Sequence, residues 1–342
     1  MTYRAPVSNV RDSSDIGSLR TALVIPTFNG AAHWNDLLEG IHRQTVIPNR
    51  VIVVDSSSTD GTASAARCAG FEVIDIDRDE FNHGATRQLV ARYASDADVL
   101  IYMTQDAIPC DSNSFRNLLM AFSDPAVGAA FGRQLPRREA AFIEAHARRF
   151  NYPDSSSVRS WDSRLTLGFK SIFFSNSFGA YRYDALMGVG GFSSDVIFGE
   201  DTVLVAHLHR AGWKTIYAAD ALVVHSHSYS ISEDFRRYFD IGVLHARESW
   251  LLEQFGNVSG EGKRFVLSEL RYLLRHNPLL IPSSCGHTLA KYVAYRLGRS
   301  ETRLPARAKY HLSMNKNYWF PQPASKHHAD VSYGSVKKKV AP

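Results

Sequence analysis

The chain is poor in cysteine. Only Cys68, Cys110 and Cys285 occur among its 342 residues, an odd number with no Cys-X-X-Cys pair. That usage speaks against a disulfide framework and a cysteine-built zinc site, and fits a reducing compartment. Long apolar runs are missing too: none approaches the ~18 residues that a membrane-spanning helix needs. Met1 to Ser18 is polar and charged and has no apolar signal-peptide core. The expectation is a cytoplasmic protein whose membrane contact is peripheral. There is no internal repeat. No glycine-rich phosphate loop follows the first strand-like run, where the sequence is PTFNGAAHW. A nucleotide-dependent oxidoreductase would need G-x-G-x-x-G there, and a sugar nucleotidyltransferase a Gly-rich loop bearing Lys or Arg.

What is present is ordinary in bulk, with 44% hydrophobic and 21% charged residues. This composition is that of a globular chain of one large or two smaller domains. The net charge of +5 conceals a division. From Lys263 to Pro342 there are 15 Lys/Arg against 3 Asp/Glu, which leaves 24 against 31 in the first 262 residues. The two regions join at the loop-like GNVSGEG of Gly256 to Gly262. The expected division is a flexible N-terminus at 1–18, a main α/β domain at 19–256, a basic helical region at 257–320 and a disordered tail at 321–342.

Strand-like and helix-like segments alternate in the first half. Strands are expected at Thr21 to Thr27, Arg50 to Asp55, Glu72 to Ile76 and Asp98 to Met103. Helices are expected at Ala31 to Gln44, after Thr62, and at His83 to Ala94. Continuous apolar strands separated by helices imply an α/β fold, with a mostly parallel central sheet flanked by helices. Ligands of such sheets bind beyond the carboxyl ends of the strands. Further on, a helix opens at Phe198-Gly199-Glu200-Asp201, and strands follow at Lys214 to Ala218 and Ala221 to His225. The last third reads as helices at Ser232 to Gln254, Glu261 to Arg275 and Cys285 to Leu297.

The chemistry-bearing residues cluster at those strand ends, and each admits two readings. Asp55 can accept a hydrogen bond from a pyrimidine imide, or cap the next helix. Asp106, in MTQDAIP, can hold a divalent cation or simply make a turn. Glu200 and Asp201 gain from a helix dipole, or supply a general base. His225 and His227 share one side of a strand end and can both ligate a metal, or form polar surface. His83 and Arg87 open a helix that can meet phosphate oxygens.

Taken in order, these pieces resemble family two of the inverting nucleotide-sugar glycosyltransferases, which have the GT-A fold. The residues carrying the resemblance are IPTFN (Ile25 to Asn29), VVDSSSTDGT (Val53 to Thr62), Gln105-Asp106 and Gly199-Glu200-Asp201. FNHGATR (Phe81 to Arg87), TQDAIP (Thr104 to Pro109), GRQLP (Gly132 to Pro136) and HSHSYS (His225 to Ser230) look like the rhamnosyltransferase-like branch of bacterial O-antigen synthesis.

The resemblance implies Asp201 as catalytic base. It implies donor contacts from Thr27, Asn29, Asp55, Ser57, His83, Arg87, Gln105 and Asp106, with Glu200 and Arg133 shaping the acceptor side. Mg²⁺ or Mn²⁺ would be held by Asp106 with His225 or His227. The usual metal motif of the family is Asp-X-Asp; here it is Thr104-Gln105-Asp106, with the second Asp alone retained. The implied donor is dTDP-L-rhamnose, with a UDP-hexose or UDP-galactofuranose as the alternative. The implied acceptor is a glycan or polyprenyl-linked oligosaccharide. A non-catalytic glycan-binding protein is the alternative of another class. For the basic C-terminal region the favoured partner is an anionic membrane at the inner face of the cell, with no nucleic acid.

Overall fold

The computed structural model describes residues 16–256 and 259–319. The expected flexible N-terminus and disordered tail fall mostly outside them, except that Ile16–Ser18 forms a 3₁₀ turn.

The chain begins with β1 (Thr21–Thr27), α1 (Ala31–His42), β2 (Arg50–Asp55), α2 (Thr62–Cys68), β3 (Glu72–Asp75), α3 (His83–Tyr93) and β4 (Val99–Met103). It continues through β5 (Ile108–Pro109), α4 (Ser114–Leu119), β6 (Val127–Leu135), α5 (Phe142–Asn151), β7 (Ser157–Arg159), α6 (Arg164–Leu167), β8 (Phe178–Arg182), α7 (Tyr183–Gly188), α8 (Glu200–Arg210) and β9 (Lys214–Val224). It closes with α9 (Ile231–Arg247), α10 (Ser249–Phe255), α11 (Ser259–His276), α12 (Ile281–Arg299) and α13 (Ala306–Leu312).

The nine strands form one sheet in the order β3-β2-β1-β4-β8-β6-β9-β5, with β7 also paired to β9. β4 explains why its sequence is apolar throughout. Val99, Ile101 and Met103 pack on one face with Trp34, Leu37 and Phe115, while Leu100 and Tyr102 pack on the other with Val90, Leu204 and Phe239. Both faces are covered by helices, so alternation cannot appear in the strand.

The parallel arrangement holds for β3, β2, β1 and β4. Parallel pairing recurs between β6 and β9, and antiparallel strands are added around this mostly parallel frame. β8 lies antiparallel between β4 and β6, and β5 and β7 run antiparallel to β9.

Two further differences have local causes. The expected strands at 214–218 and 221–225 are one strand, β9, interrupted by a bulge: Gly132 pairs with Ala218, but the next residue, Arg133, pairs with Leu222. The expected helix from Ser232 to Gln254 is two, broken at Glu248, whose φ/ψ of −103°/51° is not helical.

The basic C-terminal helices are packed onto the rest of the chain. α12 crosses α9 where Gly242 meets Gly298. A Cβ on Gly242 would fall 2.4 Å from the Tyr295 carbonyl oxygen, and one on Gly298 2.1 Å from that of Phe239. Only glycine allows backbones this close. α11 meets α5 through His146, whose Nε2 lies 2.9 Å from Ser268 Oγ. All three cysteines are unpaired and exposed.

Candidate active site

The loops after β1 and β2 are wired to each other. Asp55 ends β2 and is 2% exposed. Its Oδ1 accepts from the Thr27 hydroxyl at 3.1 Å and its Oδ2 from the Ser58 N–H at 2.8 Å. Asn29 and Ser57 both adopt left-handed backbone, with φ of 47° and 61°. Asn29 donates its N–H to Ser58 Oγ (2.8 Å) and accepts the Thr59 N–H on its Oδ1 (2.9 Å). Ser57 Oγ donates to the Ile76 carbonyl at 3.0 Å. Asp55 does not cap the next helix, which starts at Thr62; its carboxylate shapes the loop from inside the strand end.

Gln105 ties this loop to the next. Its Oε1 accepts from the Phe28 N–H and its Nε2 donates to the Phe28 carbonyl, both at 3.0 Å. The Arg78 guanidinium covers the Phe28 ring, 3.7 Å from its centroid.

Asp106, His225 and His227 converge. One ligand atom from each lies within 4.8 Å of the others. Asp106 Oδ1 is 3.4 Å from His225 Nε2, Oδ2 is 3.3 Å from His227 Nε2, and the two Nε2 atoms are 3.0 Å apart. Burial alone would raise the Asp106 pKa, but His225 and His227 hold it well below the usual carboxylate range. Burial, and then the His225 charge, push His227 down to about 4. An ionised carboxylate beside a neutral imidazole is the protonation state that metal ligation requires.

Gln134 completes the arrangement. Its Oε1 lies 2.9 Å from His225 Nδ1 and also accepts from Arg148 at 2.7 Å. An acceptor on Nδ1 keeps the proton there and leaves the Nε2 lone pair facing Asp106 and His227.

The second cluster lies at the start of α8. Gly199 precedes it with φ of 74°, a left-handed turn that suits glycine and lets Glu200 and Asp201 point inward. The two carboxylates diverge in chemistry. Glu200 is buried, paired with Arg87 at 3.0 Å and bonded by Asn176 Nδ2 at 3.0 Å. Although burial opposes ionisation, Arg87 and His83 lower its pKa. Asp201 has no ion pair among the described residues. Burial and the Glu200 charge push it up to about 7, against bonds from the Thr202 and Asn176 N–H groups at 2.7 and 3.2 Å. Adjacent carboxylates driven apart in this way leave one ionised and the other able to take up a proton near neutral pH.

The clusters share a frame. Thr104, just before Asp106, donates its N–H to the Ser177 carbonyl at 3.3 Å, and Asn176 holds both Glu200 and Asp201. Ser175 accepts from Gln134 at 2.8 Å. The 175–177 segment thus sits between the metal-type trio and the α8 carboxylates.

Sequence reading and structure part company at three residues. Arg87, expected at the donor, is buried and engaged by Glu200 and by the His83 carbonyl at 2.9 Å. His83 lies against it, with burial lowering its pKa. Arg133 shares no hydrogen bond or ion pair with the trio or with Asp201 among the described residues; the next residue in GRQLP, Gln134, does. Gln134 and Asn176 were missed. For Gln134 the signal was its place in a motif already singled out; Asn176 had none.

The model of glycosyl transferase family 2 matches residues 22–190. The O-antigen chain rhamnosyltransferase RfbN of Salmonella typhimurium is 43% identical over 302 residues, covering 88% of this chain and 96% of its own. The chain belongs to glycosyl transferase family 2. It is thus a glycosyltransferase. The rhamnosyltransferase WbaN of Salmonella anatum is 41% identical, with 87% and 95% covered. A solved mannosyltransferase of Pyrobaculum calidifontis, PcManGT, in complex with GDP-Man and Mn²⁺, covers 92% of this chain and 88% of its own, with a TM-score of 0.53 and 19% identity. That likeness concerns the fold, a GT-A arrangement carrying a helical C-terminal region.

Proposed function

We propose that this family 2 enzyme transfers L-rhamnose from dTDP-L-rhamnose, with inversion, to a hydroxyl of a glycan or polyprenyl-linked acceptor in O-antigen assembly. The observation that carries the sugar is the 43% identity to RfbN over nearly all of both chains. Asp55 would face the base, with Thr27, Asn29 and Ser57 framing it. Asp106, His225 and His227 fit a divalent cation, Mg²⁺ or Mn²⁺: the set offers one carboxylate and two imidazoles, with Gln134 fixing one tautomer. Such an ion supplies positive charge against the departing diphosphate.

The reaction is one displacement. The acceptor oxygen bonds to the anomeric carbon as the bond from that carbon to the diphosphate oxygen breaks, and the electron pair leaves with the nucleoside diphosphate. Asp201 accepts the hydroxyl proton. Its raised pKa makes it a stronger base than an ordinary carboxylate while leaving it ionised for much of the time near pH 7. Arg87 and Asn176 position Glu200 and Asp201.

Within this reading, residues 19–256 carry the transfer and 257–320 dock on the inner leaflet. No helix among the described residues is long and apolar enough to cross a membrane. The α11–α12 hairpin exposes Leu267, Leu274, Leu289, Tyr292 and, at 88%, Leu279. Around them lie exposed Lys263, Arg264, Arg271, Arg275, Arg296 and Arg299. Exposed leucines among cations suit an anionic leaflet, at about 1 kcal/mol per basic residue.

Release of dTDP from dTDP-L-rhamnose with Mg²⁺, followed beside UDP-hexose and UDP-galactofuranose donors, tests the donor. Faster turnover of a UDP-sugar would overturn it. Liposome flotation tests the docking, which fails if binding does not depend on anionic lipid.

A further inference from the structure

Arg237 lies on α9, partly buried, with its guanidinium over the Phe198 ring at 4.6 Å and the Tyr229 ring at 5.7 Å. These rings belong to different halves of the site. Phe198 leads directly into Gly199-Glu200-Asp201, and the Tyr229 ring lies against that of His227, 5.4 Å between centroids. The cation therefore bridges the segment that leads into the base and the ring packed on the metal-type trio. Its charge reaches His227, His83 and Tyr152, three residues from separate parts of the site.

Three other arginines of this region are committed, whereas Arg78 lies over the Phe28 ring on the β1 side. Arg87 is paired with Glu200, Arg148 donates to Gln134, and Arg159 donates to the carbonyls of Lys170 and Phe173. Arg237 has no hydrogen bond or ion pair among the described residues. Rings over its faces fix the guanidinium and leave its N–H edge for an anion, the geometry in which arginine takes two phosphate oxygens at once.

We propose that Arg237 contacts the diphosphate of the nucleotide leaving group and stabilises the charge it gains as the glycosidic oxygen departs. This rests on the nucleotide-sugar reading above. It makes Arg237 a catalytic residue alongside Asp201.

The test uses the full chain with Mg²⁺ and two probe pairs, dTDP with thymidine and UDP with uridine, so that base preference does not enter. Calorimetry of the diphosphates and NMR titration of the nucleosides give the affinities. Arg237→Ala should weaken binding of the preferred diphosphate about 10–100-fold, as expected for losing a charged hydrogen-bonding group, while nucleoside binding is unchanged. Arg237→Lys, which keeps charge but loses the fork, should fall between. The exposed neighbour variant Arg236→Ala should match the parent. Diphosphate affinity within twofold of the parent in both Arg237 variants would overturn the proposal, as would a nucleoside affinity falling by the same factor. If the unsubstituted chain binds neither diphosphate, the nucleotide-sugar reading itself fails, and this inference with it.

Discussion

The two halves of the site use their polar groups differently. In the β1–β2 half, Thr27, Asn29, Asp55, Ser57 and Gln105 form hydrogen bonds with one another's loops and backbones. In the second half, Asp201 is an acid forced upward, His227 a base forced downward, and Arg237 a cation between rings. The first half is built for shape and the second for reactivity. Substitutions in the first should cost stability and donor affinity together, and those in the second should separate the two.

The sharpest break is Asp201→Asn. Turnover should fall about 10²–10⁴-fold with donor affinity retained, and near-normal turnover would remove the base from this position. The same variant should gain stability relative to the parent as pH rises. Because folding raises the Asp201 pKa to about 7, the native state holds a proton that the unfolded chain releases near pH 4. The native protein therefore loses stability through this group as pH rises from about 4 to 7. Melting curves should show Asp201→Asn above the parent at pH 8 and close to it at pH 4.

Glu200→Gln leaves Arg87 buried without its counter-charge. A loss of about 3–5 kcal/mol in urea unfolding is expected, and a midpoint unchanged from the parent would show that this pair is not the anchor of α8. Gln134→Leu removes the acceptor on His225 Nδ1. Mg²⁺ or Mn²⁺ affinity should drop about 10–100-fold, with dTDP binding in the absence of metal unaltered; equal metal affinity would detach Gln134 from the trio. Asp55→Asn is the smallest effect on stability, about 1–3 kcal/mol from the Thr27 and Ser58 bonds. It should weaken nucleoside binding in parallel, and a variant as stable as the parent would undo the contrast between the halves.

Much of the fold was legible because the parallel half obeys local rules. Apolar runs and the turns after them locate β1, β2 and β4 within a residue or so. The His225–His227 pairing was legible too, since residues two apart at a strand end share a side, and Asp106 stood at the matching end of β4. The antiparallel β8, Gln134 and Asn176 were not. Gln134 acts on a histidine 91 positions away, and Asn176 on carboxylates 24 and 25 positions away. Local periodicity carries no information about such pairings. Arg237 was hidden for a related reason: in the sequence it is one of two consecutive arginines on a polar helix face, and its rings come from two other segments.

The crossing of Gly242 and Gly298 has a mechanical consequence. With no side chain between the two backbones, α12 cannot slide or roll along α9 without collision. The basic hairpin is thus a handle fixed to the helix that bears Arg237, five residues from the crossing. If the hairpin docks as proposed, the surface that grips it would also set the tilt of α9, and with it the direction of acceptor approach.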